Sequence, residues 1–314
     1  MPNPDRRVVR PVVTIGNFDG VHLGHRAVLA EAREVAGAGP LTVVTFAPHP
    51  LRVLRPAAAP AVLTPTDRKT DLLRAAGVDD VLVLPFTCEV AAWSPQRFVD
   101  EVLVDRLHAR AVVVGENFRF GHAAAGDVAL LRSLGESRDF LVVPAPLASA
   151  DAANVGGGGR VSSSLVRTLV ADGDVSAAAR LLGRPHRVSG PVVHGDRRGR
   201  LLGYPTANLG LTGDLAVPAD GVYASWLTVE ATTYPALTSI GTNPTFSGTE
   251  RRVEAYVLDR DDLDLYDRTA DLDFVDRQRP TITFDSVDAL VAQMAADVVR
   301  GRGTLLGTTR APRR

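Results

Sequence analysis

Lysine is nearly missing from this chain. Among 35 lysines and arginines in 314 residues, only Lys69, in the context DRKTDLL, carries a side-chain amine. A Walker A loop and a protein-kinase signature each need a lysine in a fixed glycine-rich or strand context, so neither can be built here. A Schiff-base lysine would have to be Lys69, and nothing around it looks like such a site. Cysteine is equally scarce. Cys88 stands alone, which excludes an intramolecular disulfide and any multi-cysteine zinc or iron–sulfur site and points to a reducing compartment. No run approaches the roughly 20 apolar residues that cross a bilayer, and MPNPDRRVVRP lacks the apolar core of a signal peptide. The protein is therefore expected to be cytoplasmic. Net charge is scarce too: at −1 it argues against nucleic acid or a membrane surface as a partner, while a homo-oligomer stays open. Positive charge carried by arginine suits bidentate phosphate contacts, and a compositional bias would give the same count.

What is present describes a globular protein, 45% apolar and 23% charged, and longer than a usual single domain. Up to about residue 183, short β-rich runs alternate with helical patterns. Strands are expected at Val12 to Ile15, Leu41 to Phe46, Val81 to Leu84, Ala111 to Val114 and Phe140 to Val143. Helices are expected at Asp67 to Ala76, at Pro95 to Leu107 after a Ser94 cap, and at Asp127 to Leu134. Continuous apolar strands separated by helices predict a parallel, Rossmann-like α/β domain that binds ligands at the carboxyl ends of its strands. Ala148 to Arg160, with four consecutive glycines, reads as a loop that closes over substrate. A short helix is expected at Val175 to Leu182, and the texture changes after Gly183. From His186 to Thr283, valine-, tyrosine- and threonine-rich runs broken by glycine and proline predict a small antiparallel β-barrel. A helix from Val287 to Val299 follows, with Ser286 as cap and Leu290, Val291, Met294 and Val298 on one face packing on the barrel. The expected domains are residues 1–183 and 184–302, with 303–314 a disordered tail.

One stretch concentrates the chemistry. VVTIGNFDGVHLGH, Val12 to His25, joins a buried-strand signal, the glycines Gly16, Gly20 and Gly24, and two histidines three residues apart. Glycines let backbone N–H groups approach an anion closely, and a helix from about Gly24 to Val35 would aim its positive end at the same spot. The stretch is therefore a candidate phosphate cradle. Zinc on His22 and His25 is an alternative whose remaining ligands are not apparent, since there is no HExxH and only five other histidines. Polar helix-start residues without chemistry are a third reading.

HLGH after a strand and a GNFDGV loop resembles the HxGH signature of the nucleotidyltransferase superfamily. GNFDGVHLGH as a whole is similar to the prokaryotic bifunctional riboflavin kinase/FMN adenylyltransferases, or FAD synthetases. TFAPHP (Thr45 to Pro50), GENFRFG (Gly115 to Gly121) and SSSLVR (Ser162 to Arg167) extend the resemblance. So do LGYPTANL (Leu202 to Leu209), PADGVYA (Pro218 to Ala224), SIGTNPTF (Ser239 to Phe246) and VEAYVLD (Val253 to Asp259). HxGH alone is shared by several transferases, but its combination with PTAN is highly specific, and nearly the whole chain is covered.

The resemblance implies an N-terminal nucleotidyltransferase domain and a C-terminal barrel, with ATP, riboflavin, FMN and FAD as substrates and products and Mg2+ as cofactor. It assigns His22, His25 and Arg167 to adenylyl transfer. Gly16, Phe18, Asp19, Gly24, Asn117, Phe118, Ser163 and Ser164 go to nucleotide or flavin binding, Gly199, Arg200 and Gly203 to a lysine-free nucleotide loop. Thr206 and Asn208 are its magnesium ligands, although Pro-Thr-x-Asn read by itself is equally a hydrogen-bonded turn. Glu254 is its general base, although a glutamate between Val253 and Ala255 read alone is more often an outward-facing strand residue. The sequence departs from the family pattern at Ser164 and Val166, where threonine and isoleucine are usual, at Tyr256, commonly histidine, and in DLDLYDR, where the family has GDLYG.

Overall fold

The computed structural model describes residues 9–146, 160–195, 199, 202–211, 213–245 and 248–307. The glycine-rich segment expected to close over substrate, Arg200 and Phe246 lie outside the described residues, Arg160 excepted. The chain divides into two compact units, one reaching to Ser162 and the other running from Ser163 onward and taking in Ala61–Leu63.

The first unit is built on five parallel strands, β1 (Val12–Ile15), β2 (Leu41–Ala47), β3 (Asp80–Pro85), β4 (Ala111–Gly115) and β5 (Leu141–Ala145), in the order β3-β2-β1-β4-β5. Alternate side chains of the central strands go to opposite faces. Val13, Ile15, Val112 and Val114 join one core with Phe98, Val102, Leu103 and Leu131, whereas Val12, Val43, Ala111 and Val113 join another with Leu29, Ala32 and Leu73. Burial on both faces is why these strands read as unbroken apolar runs. Helices α1 (Leu23–Ala36), α2 (Pro50–Leu54), α3 (Thr66–Ala75), α4 (Cys88–Ala91), α5 (Pro95–Phe98) and α6 (Val128–Ser137) connect them. The expected helix after Ser94 forms with that cap, the Arg97 N–H donating to the Ser94 hydroxyl at 3.1 Å, but from Val99 to Arg106 it continues with wider π-type turns. Val99, Val102 and Leu103 are buried there. Their spacing suits α and π turns alike, so the sequence cannot separate the two.

The second unit opens with α7 (Ser163–Asp172) and α8 (Val175–Leu182), which ends on Gly183 in the left-handed conformation at φ 68°. Strands β6 (His186–Val193), β7 (Thr206–Leu209), β8 (Gly221–Val229), β9 (Thr232–Thr245), β10 (Gly248–Val257) and β11 (Thr269–Arg279) close into an antiparallel barrel ordered β10-β7-β6-β11-β8-β9. Val192, Leu209, Tyr223, Leu227, Ile240, Val253, Ala255 and Phe274 fill its interior together with Val175 of α8.

A final helix, α9 (Val287–Leu306), lies on the outside of β8, β9 and β11. It runs past the expected end at Val299, and the stretch from Gly303 expected to be disordered is helical to Leu306; residues 308–314 lie outside the described residues. Gly301 and Gly303 look like helix breakers in the sequence. Gly301 instead lets the helix approach the sheet, because a Cβ there would overlap Leu237. Its neighbours on that stripe, Asp297 and Leu305, are buried as well. Asp297, with a side chain 3% exposed, accepts from Arg279 of β11 at 2.7 Å and from Gln293 at 2.8 Å, which pins the helix to the barrel. Asp297→Ala would leave the Arg279 cation buried without its partner and is expected to lower stability by about 3–5 kcal/mol. Urea unfolding checks this, and adding Arg279→Met should recover part of the loss.

Candidate active sites

The strand order reverses between β1 and β4: the chain moves from β1 out to β3 and then returns to lay β4 on the other side of β1. Ligands bind at such a switch point in open parallel sheets. The GNFDG loop follows β1 and the GENFRFG loop follows β4, so both sit at it. Phe18 and Val21 adopt left-handed backbone angles, φ 50° and 40°, and Asp19 is buried with its carboxylate accepting the Thr64 N–H at 3.0 Å. Gly16 faces the Phe18 ring edge, where a Cβ would come to 3.2 Å.

The helix that follows has no Ser, Thr, Asn or Asp at its start. His22 caps it, Nδ1 accepting the His25 N–H at 3.2 Å, and the two imidazoles stack at 3.6 Å. That bond fixes the tautomer: with Nδ1 accepting, the proton of neutral His22 sits on Nε2, a donor. Phe18 packs against the His25 ring at 5.0 Å. Gly24 is tight, since a Cβ would stand 3.0 Å from the Val161 carbonyl and 3.1 Å from His22. The first turn of α1 holds no acidic side chain, which leaves its positive end available to an anion. At the neighbouring strand end Asn117 is exposed, and Phe118 stacks on Phe120 at 5.5 Å against the core.

Ser163 begins α7, Ser164 is exposed beside it, and Arg167 one turn in donates from Nε to the Ala61 carbonyl at 2.6 Å. These three residues belong to the second unit, while His22 and His25 belong to the first.

The second site is on the outer surface of the barrel. Val253, Ala255 and Val257 point inward, so Glu254 and Tyr256 point outward, but α9 roofs that face and encloses a cavity of about 370 Å³. Glu254, Thr206, Tyr204 and Tyr256 stand on one side of it, Leu290, Met294 and Val298 of α9 on another, with Val222, Leu237 and Phe284 between them. Thr206 and Asn208 lie on one face of β7, opposite Tyr256 and Glu254 of β10, and the Thr206 hydroxyl reaches the Glu254 carboxylate at 3.4 Å. Gly195 is what leaves Asn208 its room, because any Cβ there would collide with the amide. Gly199 also lines the cavity, Gly203 turns at φ 82°, and Arg200 lies outside the described residues. Burial pushes the Tyr256 phenol above its ordinary pKa. Thr206 also borders a smaller hollow of about 50 Å³, lined by Arg260, Asp261 and Tyr266. The α9 residues on the cavity wall are the ones the sequence assigned to barrel packing alone; their spacing of four marks a stripe without saying what it faces.

An FAD synthetase family model matches residues 6–158, and a riboflavin kinase model matches 182–305. The bifunctional riboflavin kinase/FMN adenylyltransferase of Listeria monocytogenes is 35% identical over 92% of this chain and 90% of that protein. The Escherichia coli K12 protein of the same name is 38% identical over 93% and 91%. This chain belongs to the bifunctional riboflavin kinase/FMN adenylyltransferase family. A solved Streptococcus pneumoniae structure, described as a macrolide-efflux protein, has a similar fold with TM-score 0.82 and 32% identity, covering 93% of this chain and 94% of that one. Among the described residues here, no helix is long and apolar enough to cross a membrane.

In the fold itself, His22 is the cap of α1. His22→Ala is expected to lower stability by about 1 kcal/mol through loss of the cap, and His22→Asn to restore it. Thermal unfolding of the two variants checks the cap.

Proposed function

We propose that the two activities of the family, riboflavin kinase and FMN adenylyltransferase, are performed by this chain at two separate sites. Residues 184–302 phosphorylate riboflavin with ATP, and residues 1–183 adenylylate the resulting FMN with a second ATP. The observation that supports this most is the placement of the two motif sets in separate units: the GNFDGVHLGH loop and helix start at the strand-order reversal of the first, and in the second a cavity lined by Glu254 and Thr206, with Asn208 paired to Glu254 across the strands.

In the kinase reaction Glu254 accepts the proton of the ribityl 5′-hydroxyl as that oxygen attacks the γ-phosphorus of ATP and ADP leaves. The apolar wall from α9, with Leu237 and Phe284, takes the isoalloxazine and excludes water. Hard oxygens on Thr206 and Asn208 fit a magnesium ion that keeps most of its coordination for phosphate and water, and that ion would neutralise charge on the ATP phosphates. Thr206 borders both hollows, which suits a ligand at the junction of flavin and nucleotide.

In the adenylyl transfer an FMN phosphate oxygen attacks the α-phosphorus and pyrophosphate departs, so no protein nucleophile is needed. His22 Nε2–H, the His25 imidazole and the positive end of α1 stabilise the charge that develops. By the family resemblance Ser163, Ser164 and Arg167 hold ATP phosphates, with Asn117 and Phe118 beside the flavin or nucleotide. The proposed compartment is the cytoplasm, which the single cysteine favours.

Glu254→Ala should abolish FMN formation from riboflavin and leave conversion of supplied FMN to FAD; His25→Ala should do the reverse. Chromatography of flavin products decides, and loss of both activities in either variant would sink the two-site assignment. Wild-type protein given riboflavin and MgATP should yield FAD, whereas FMN alone would indicate a kinase and no product a flavin sensor. Thr206→Ala and Asn208→Ala should raise the magnesium concentration that half-saturates riboflavin phosphorylation without changing the requirement of adenylylation, as a magnesium titration of each reaction would reveal.

A further inference from the structure

Lys69 of α3 is buried, 6% exposed, and no step above uses it. Its ammonium donates to two backbone carbonyls, Asn17 at 3.1 Å and Phe46 at 3.3 Å. The Thr45 hydroxyl donates to the same Asn17 carbonyl at 3.0 Å. Burial pulls the amine below the ordinary lysine pKa, against an opposing pull from the Asp19 carboxylate. Asn17 follows β1, and Phe46 lies in the last turn of β2. One cation thus ties the GNFDG loop to the neighbouring strand end.

That tie determines which way a peptide faces. A trans peptide is planar, so its C=O and N–H point in opposite directions. With the Asn17 carbonyl drawn toward Lys69, the N–H of Phe18 must point away from it, and among the described residues that N–H has no acceptor. The loop does not hold this shape by preference. Phe18 and Val21 are both left-handed without being glycine, which bulky and β-branched residues avoid unless their surroundings impose it.

We propose that Lys69 is a positioning residue for adenylyl transfer: by holding the Asn17 carbonyl it fixes the Phe18 N–H as a preset donor to the phosphates of ATP. This rests on the adenylyl-transfer reading of the β1 loop. The ammonium carries three donors, enough to hold both carbonyls at once.

The test compares Lys69→Met, which keeps length and loses the donors, with Lys69→Arg, which keeps donors. FMN adenylylation, riboflavin phosphorylation and thermal unfolding are measured on the same full-length preparations. Lys69→Met is expected to raise the KM for ATP and lower kcat/KM for adenylylation by about tenfold or more, with riboflavin phosphorylation unchanged and Lys69→Arg recovering most of the loss. A folded Met variant with wild-type kcat/KM would overturn the proposal, as would an Arg variant no better than Met. Should Lys69→Met fail to fold, lysine labelled with 13C and 15N gives one side-chain signal in the wild-type chain. That signal is expected to shift when MgATP is added, and an unmoved signal overturns the proposal. If His25→Ala abolishes FAD formation while Lys69→Met preserves it, this inference alone falls; if His25→Ala leaves FAD formation intact, the reading beneath it falls too.

Discussion

Along an extended chain each side chain must go to one face of the sheet or the other, and the central strands of the parallel sheet are covered on both. In the parallel sheet the two sets separate into two cores, Val13 and Ile15 on one side and Val12 on the other. In the barrel one set fills the interior, and outward residues of β8, β9 and β11 find α9. With α9 over it, the face on which Glu254 stands borders a cavity, whereas the same face without its helix would be wetted surface. The roof is held by Arg279 and Asp297, two charges that satisfy each other where neither could be left alone.

The two sites use different materials. At the end of β1 stand backbone amides, a helix start and two stacked imidazoles, in a loop where Phe18 and Val21 are left-handed. Such groups recognise phosphate without needing many charged side chains, in keeping with a chain whose net charge is only −1. Under α9 stand side chains on strands, one carboxylate among apolar walls.

Local sequence carried the parallel sheet, the barrel and the position of the β1 cradle, because apolar period and glycine placement act over a few residues. It carried less where distant partners decide. Glu254 reads as an outward strand residue and is one; only the packing of α9 makes outward mean enclosed. Gly301 looks like the end of a helix until Leu237 is seen against it. His22 carries no conventional capping signal, so its capping emerges only from the bond to the His25 amide. Lys69 is conspicuous as the sole lysine, yet its acceptors are 52 and 23 residues away in the chain.

The sealed position of Lys69 also decides how the protein looks to chemistry from outside. Apart from the seven histidines, every other basic side chain is a guanidinium, so no ε-amine is offered at the surface. Amine-coupling dyes and cellular marks written on lysine find no exposed lysine to modify. The protein's positive surface is therefore chemically inert toward a whole class of reagents, and its turnover cannot be signalled through a surface lysine.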